Sequence, residues 1–131
     1  SGKKIGILGL TYKPGTSTMR RSPAIKIIDK LIVEKAKCLT YDPKASAKEL
    51  QTYTKAVTKM PSVETLAKQV DALVLVTEWP EFKDLDYKKL ASLMKKPLII
   101  DTKNFLDPEV MVKSGFDYVG YGRSLSNKEI K

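Results

Sequence analysis

The 131-residue sequence contains no histidine, one cysteine and three arginines. Without histidine the chain lacks the commonest general base and the commonest metal ligand, and it cannot form a Ser–His or Cys–His catalytic pair. One cysteine, Cys38, excludes a disulfide within the chain and a multi-cysteine metal site. These absences argue against a self-contained hydrolase or zinc enzyme. We expect no metal site and a reducing compartment, the cytoplasm.

Long hydrophobic runs are also missing. No run approaches the roughly 20 apolar residues of a membrane span, and the first residues lack the apolar core of a secretory signal. The 42% hydrophobic content is enough for a packed core. We therefore expect one domain over residues 1–131, with a frayed tail at 124–131. The first residue is Ser1 and not methionine, from which we expect a piece of a longer protein.

Positive charge is abundant by contrast. The net charge is +9, and lysine supplies 21 of the 24 basic residues. The lysines are scattered, which is typical of a solvated surface whose positive field attracts anions. No basic run alternates with aromatic residues, so we do not expect nucleic-acid binding as the main role. A basic nucleic-acid-binding α/β module without enzymatic role stays the alternative.

Apolar strands alternate with amphipathic helices along the chain. A strand over Lys4–Gly9 precedes a helix that Ser22 caps, and the runs "DALVLVT" and "PLIID" are typical of strands buried on both faces. The pattern predicts an α/β fold: a three-layer, Rossmann-like parallel sheet of about five strands with helices on both faces.

Ligands of such sheets lie beyond the carboxyl ends of the strands. The first loop there carries Lys13, Arg20 and Arg21 ahead of a helix start, a combination suited to phosphate. A solvated turn with unrelated charges explains the same residues about as well. Lys103 follows a buried strand and would reach the same edge. The dinucleotide fingerprint GxGxxG is absent, so we expect no NAD site in this domain.

Five other side chains have structural interpretations. Glu78 and Glu81 resemble a paired-carboxylate site, but capping and ion pairing explain them better. Trp79 and Phe82 are expected in the core or at an interface, and not as a platform for stacking bases. Cys38 lies within a strand and is expected to be a buried, unreactive thiol.

Four segments in register resemble the C-terminal domain of the UDP-glucose/GDP-mannose dehydrogenase family. They are "GLTYKPGTSTMRRSPA" (9–24), "YDP" (41–43), "VTEWPEF" (76–82) and "DTKNFLDP" (101–108). The family patterns are similar to "GLxFKPxTDDxRxSPA", "YDP", "VTEWxEF" and "DGRNxxDP". The resemblance extends from Lys4 to Arg123.

The resemblance implies a UDP-sugar-binding domain of an NAD-dependent nucleotide-sugar 6-dehydrogenase. The whole enzyme would oxidise the C6 alcohol of the sugar to a carboxylate with NAD. An N-terminal NAD domain, a central helical region that forms the homodimer and a glycine-rich segment with the catalytic cysteine would precede this chain. The fragment would hold no catalytic residue and would be inactive alone. UDP-glucose, a UDP-N-acetylhexosamine or GDP-mannose would be the substrate.

The family roles transfer to three positions. Lys13 matches the lysine of "FKP" that contacts the UDP-sugar, Tyr12 takes the place of its phenylalanine, and Lys103 replaces the arginine of "DGRN". Lysine keeps the charge but loses the bidentate fork. Arg20 and Arg21 are implied as support for the phosphate loop.

Other positions depart from the family pattern. Thr102 replaces the glycine of "DGRN" and narrows that loop, while Ser17 and Thr18 replace paired aspartates. A receiver domain shares the layout but needs an acidic pair after the first strand, where Leu10 and Thr11 stand.

Overall fold

A computed structural model describes residues 3–9, 37–42, 57–120 and 122–125. Seven strands form one sheet in the order β3-β2-β1-β4-β5-β6-β7. Five neighbouring pairs are parallel, and β6 and β7 are antiparallel. The strands are β1 (Lys4–Leu8), β2 (Lys37–Tyr41), β3 (Val57–Lys59), β4 (Ala72–Leu75), β5 (Leu98–Asp101), β6 (Asp117–Gly120) and β7 (Arg123–Leu125).

The order of the first six strands is that of the doubly wound Rossmann sheet. The chain moves outward from β1 to β3, returns to the other side of β1 as β4, and continues to β6. The strand order therefore reverses between β1 and β4, and this switch point is where such sheets hold ligands. The predicted α/β class is confirmed.

The sheet is larger than the expected count of about five strands. Both outermost strands, β3 and β7, have only three residues each, too few for an alternating or continuous apolar pattern to stand out. Strand β7 includes Ser124 and Leu125, the first two residues of the tail expected to fray. The remainder of that tail, 126–131, lies outside the described residues.

Within the described residues, three α-helices and one 3₁₀ helix accompany the sheet. They are α1 (Val63–Ala67), the 3₁₀ helix (Pro80–Lys83), α2 (Tyr87–Ser92) and α3 (Pro108–Ser114). Helix α2 packs against α1 and α3, so the three helices form one layer. The helix expected after Ser22 lies outside the described residues.

Short side-chain caps begin the three α-helices. The Ser62 hydroxyl accepts the backbone N–H of Thr65, and the Thr65 hydroxyl accepts the backbone N–H of Ser62, which completes a capping box. Asp86 and Asp107 accept backbone N–H groups of α2 and α3. Gly115 ends α3 at φ 114°, in the left-handed region that glycine tolerates best. The sequence predicts Ser62 and Asp107 as helix caps and Gly115 as a helix end, and the structure confirms all three, whereas the cap formed by Asp86 was not predicted.

The core lies between the helix layer and one face of the sheet. Leu8, Leu73, Leu75, Ile99 and Tyr118 come from that face and are buried against the helices. The opposite face is also buried at the centre of the sheet. Its buried side chains include Ile7, Thr40 and Val74. Strands buried on both faces are what the continuous apolar runs predicted.

Cys38 lies on that opposite face and is 2% exposed. Burial raises the pKa of the Cys38 thiol, so the native state favours the neutral thiol and holds less of the reactive thiolate. Because desolvation disfavours the thiolate, folding stability falls as the pH rises from the thiol's ordinary pKa through its raised folded-state pKa. The expectation of a buried thiol is confirmed.

Alkylation of Cys38 in the native chain is expected to be slow. At pH 8 we expect iodoacetamide to react with Cys38 about 100-fold more slowly in the native chain than in the urea-unfolded chain. This factor corresponds to a free energy of about 2.7 kcal/mol for the local opening that exposes the thiol. Mass spectrometry of timed samples measures both rates. Equal rates would contradict the burial of this strand.

Candidate functional site

The candidate site is the carboxyl edge of the sheet, meaning the residues that follow β1, β2, β4 and β5 and those at the end of β6. Gly9 follows β1 and Thr77 lies just beyond β4, at the switch point. The N–H of Gly9 donates to the Tyr41 carbonyl at 2.8 Å, and the N–H of Val76 donates to the Leu8 carbonyl at 2.9 Å. These bonds hold the ends of three adjacent strands together.

Gly9 has both a special conformation and a close neighbour. Its φ of 96° is in the left-handed region, and an added Cβ would lie 2.4 Å from the Thr77 Cβ and 2.8 Å from the Thr77 nitrogen. The open side of the glycine is therefore filled by Thr77. Its lack of a side chain therefore serves the packing of β1 against the end of β4.

A buried side-chain hydrogen bond spans the end of β1. The indole N–H of Trp79, from the loop after β4, donates to Asp42 Oδ2 at 3.2 Å, and Asp42 follows β2. Strands β2 and β4 flank β1, so the bond fixes the exits of the two flanking strands relative to the central one. Trp79 and Phe82 are both buried, as expected for core residues.

Asp101 organises the loop after β5. Its side chain is completely buried and accepts three hydrogen bonds: from the Lys103 N–H at 3.0 Å, the Leu106 N–H at 2.7 Å and the Tyr118 hydroxyl at 2.9 Å. Asp101 therefore caps the turn that follows β5. Its capped turn also reaches β6 through Tyr118.

The rest of this loop is held on both sides. The Thr102 hydroxyl donates to the Leu75 carbonyl at 2.7 Å, which ties the loop to β4. Asn104 adopts φ 49°. A Cβ added to Gly120 would lie only 2.4 Å from the Asn104 Oδ1, so the glycine makes room for this side chain. Lys103 is exposed between these anchors. Its backbone is fixed while its ammonium group faces solvent.

Lys83 adds a second positive charge to this loop. Its Nζ lies 4.4 Å from the centroid of the Phe105 ring, two residues after Lys103, which is within the range of a cation–π contact. Sequence reasoning did not single out Lys83. The only available signal was its position directly after the "VTEWPEF" segment.

The carboxylates of that segment do not form a catalytic pair. Glu78 and Glu81 are exposed, and Glu81 accepts a weak hydrogen bond from the Tyr41 hydroxyl at 3.4 Å. Burial, and next the negative charge of Glu81, raise the pKa of Tyr41. The ion pairing expected for Glu78 and Glu81 does not occur with any described residue. The ion pair in the described part of the chain joins Lys89 and Glu64.

A cavity of about 220 Å³ lies beside Tyr41 and Glu81. Glu64 and Asp86 also line it, so three carboxylates face a space whose single basic residue, Lys89, is paired with Glu64. Negative charge repels phosphate, and the volume is below the usual range of small-molecule pockets, about 300–1,000 Å³. This cavity does not suit a nucleotide.

Of the predicted site residues, the structure describes Lys103 and places it at the carboxyl edge. Tyr12, Lys13, Arg20 and Arg21 lie outside the described residues. No group of three histidine, cysteine, aspartate or glutamate residues in the described ranges is arranged to hold a metal ion. The same ranges contain no helix of the length and apolar character needed to cross a membrane.

Comparisons with known proteins agree with this geometry. Residues 6–108 match the model of the UDP-glucose/GDP-mannose dehydrogenase family, UDP binding domain. The UDP-glucose 6-dehydrogenase of Rickettsia prowazekii (strain Madrid E) is 42% identical over 126 residues, which are 95% of this chain and 29% of that protein.

Two solved structures have the same fold. A UDP-D-ManNAc dehydrogenase from Pyrococcus horikoshii aligns with a TM-score of 0.73 and 34% identity, covering 94% of this chain and 26% of that one. A UDP-glucose dehydrogenase from Pyrobaculum islandicum aligns with a TM-score of 0.65 and 28% identity, covering 76% and 22%. The chain thus spans under a third of the length of the proteins that it matches.

Proposed function

Because this chain belongs to the UDP-glucose/GDP-mannose dehydrogenase family, we propose that it binds the nucleotide diphosphate of a UDP-sugar at the carboxyl edge of its sheet. The observation that carries the proposal is the loop after β5. Asp101 and Thr102 hold its backbone on two sides, and Lys103 projects from it into solvent. A fixed backbone with a free ammonium group is suited to an anion whose position must be reproducible.

Within this proposal, three residues contact the substrate. Lys13 and Lys103 meet the diphosphate, and Tyr12 shapes the pocket for the nucleotide. Arg20 and Arg21 support the loop that carries Lys13 and increase its positive charge. Lysine at position 103 acts as a point charge, so it attracts the diphosphate without the two parallel hydrogen bonds of an arginine.

The longer protein would be an NAD-dependent nucleotide-sugar 6-dehydrogenase of the cytoplasm. Preceding domains would bind NAD, carry the catalytic cysteine and form a homodimer. NAD supplies hydride acceptance when bound there; the residues of the present chain orient the substrate by its diphosphate. The 131-residue chain is then expected to have no dehydrogenase activity alone.

Titration calorimetry with UDP tests the proposal. At about 150 mM salt, where the Debye length is about 8 Å and exposed charges are screened, we expect saturable UDP binding that exceeds ADP binding. Polyuridylate is the control for a nucleic-acid module, which would bind the polymer with a steep dependence on salt. Binding of polyuridylate without UDP would replace the proposal by that alternative.

Substitution of Lys13 tests the site itself. We expect Lys13→Ala to weaken UDP binding about tenfold, because a hydrogen bond to a charged group is worth about 1.5–3 kcal/mol. Lys88→Ala is the control. Lys88 is exposed on α2, and its substitution changes the net charge by the same amount as Lys13→Ala. Calorimetry measures both. Equal losses would mean that overall charge alone attracts UDP.

A further inference from the structure

A second cavity, of about 860 Å³, lies at the opposite edge of the sheet, where β1, β4, β5 and β6 begin. We call it the amino-edge pocket. Its basic residues come from three segments of the chain: Lys3 and Lys4 at β1, Lys68 after α1, and Lys95 and Lys96 after α2. The five residues of β1, about 16 Å of strand, separate it from the carboxyl edge.

These five lysines are not neutralised by their surroundings. None of them forms an ion pair with a described residue. The ion pair found there joins Lys89 and Glu64. Two carboxylates, Asp71 and Asp117, also line the pocket. Asp71 Oδ2 accepts the backbone N–H of Lys4 at 2.8 Å, so this carboxylate is bound to the main chain of β1. Among the described residues that line the pocket, positive charges outnumber negative charges by three.

The floor of the pocket is apolar. Val70, Ala72 and Met94 are buried there, while Ile5 and Leu98 are half-buried at the starts of their strands. The volume falls within the range of about 300–1,000 Å³ in which proteins hold small organic ligands. An apolar floor with several unpaired cations around it matches a ligand that has an apolar body and a negative group.

We propose that the amino-edge pocket binds an organic anion of about nucleotide size. The apolar body of the ligand lies on Val70, Ala72 and Leu98, and its phosphate or carboxylate meets Lys68, Lys95 and Lys96. A nucleotide and an acyl or aromatic phosphate share this chemistry. The site is separate from the carboxyl edge, so it does not depend on the UDP-sugar proposal.

The first experiment uses 8-anilinonaphthalene-1-sulfonate, an aromatic anion whose fluorescence rises in apolar surroundings. We expect saturable, one-to-one binding to the native chain. Competition distinguishes the ligand sources: ATP represents nucleotides, dodecyl phosphate represents acyl phosphates, and tripolyphosphate represents charge alone. Displacement by either organic anion at concentrations where tripolyphosphate has no effect supports the proposal. Equal displacement by all three overturns it, because the apolar floor would then contribute nothing.

A charge-matched pair of variants locates the binding. Lys95→Gln/Lys96→Gln is expected to weaken probe binding about tenfold, since each exposed lysine–anion contact is worth about a factor of three. Lys88→Gln/Lys113→Gln removes the same net charge from exposed helix positions outside the pocket and is expected to change it less than about twofold. Equal losses in the two variants would overturn the proposal.

Amide chemical shifts add a readout independent of charge. With the probe bound, the shifts of Gln69, Asp71 and Leu98 are expected to move and those of Thr102 and Lys103 to stay. Lys103→Gln is expected to leave probe binding unchanged even where it weakens UDP binding. Shifts confined to the carboxyl edge would assign the probe to the other site and contradict the proposal.

Discussion

Asp101→Ala is expected to lower the free energy of unfolding by about 3–5 kcal/mol, because the substitution removes the completely buried acceptor of three hydrogen bonds. The carboxylate accepts hydrogen bonds from Lys103, Leu106 and Tyr118. Alanine leaves these donors without their acceptor, and each buried orphan costs about 1–3 kcal/mol. Urea unfolding followed by circular dichroism measures the loss as a lower midpoint.

Two control variants separate the network from a simple cap. Asp107→Ala removes an exposed N-cap of α3 and is expected to cost about 1 kcal/mol. Tyr118→Phe removes one of the three donors and keeps the ring, so about 1 kcal/mol is expected. An Asp101→Ala loss no larger than that of Asp107→Ala would contradict the role of Asp101 as an organiser of the loop.

The same network has a consequence for ligand binding. Asp101 fixes the backbone of Lys103, and the Thr102 hydroxyl ties the same loop to the Leu75 carbonyl of β4. Losing Asp101 therefore releases one of the two supports of the proposed diphosphate contact. Asp101→Ala is expected to weaken UDP binding at temperatures where the variant is still folded, whereas Asp107→Ala leaves it unchanged.

Local features of the fold could be predicted from sequence. The caps Ser62 and Asp107 and the helix end at Gly115 follow from short-range chemistry, in which a residue and its partner lie within a few positions of each other. The buried strands follow from their apolar runs. The sequence predicts a helix over Asp86–Lys95, whereas α2 ends at Ser92, because helix ends carry weaker signals than helix centres.

The contacts that shape the candidate site could not be predicted. Trp79 meets Asp42 across 37 positions, and Tyr118 meets Asp101 across 17. Such pairs depend on which strands become neighbours. The 3₁₀ helix at Pro80–Lys83 was also missed, since one short turn has no periodicity. Lys103 was identified from its position after a buried strand. The proximity of the Lys83 charge to the same loop is visible only in the structure.

The amino-edge pocket was overlooked for a related reason. The rule that ligands lie beyond the carboxyl ends of strands directs attention to one edge of the sheet, and scattered lysines are typical of a solvated surface. Lys3, Lys68 and Lys95 are far apart in sequence and come together only because β1, β4 and β5 are adjacent. Scatter along the chain was therefore a poor guide to their distribution in space.

Gly9→Ala is expected to lower the free energy of unfolding by about 3 kcal/mol or more, through two separable costs. A left-handed φ costs a residue with a Cβ about 1–2 kcal/mol. The new methyl group also overlaps the Thr77 backbone nitrogen and Cβ, and overpacking a rigid site costs about 1–3 kcal/mol. Because Gly9 precedes the loop that carries Lys13, UDP binding is expected to weaken as well.

Gly122→Ala isolates the first of these costs. Gly122 has φ 68°, and an added Cβ would meet nothing within 4 Å, so about 1–2 kcal/mol of conformational strain is all that is expected. The difference between the two variants in urea unfolding is then the steric cost at the switch point. If both glycines cost the same, Thr77 yields to the methyl group, and the junction of β1 and β4 is softer than its packing indicates. A larger loss at Gly9 would establish that this junction is rigid, as a support for a loop that binds a diphosphate must be.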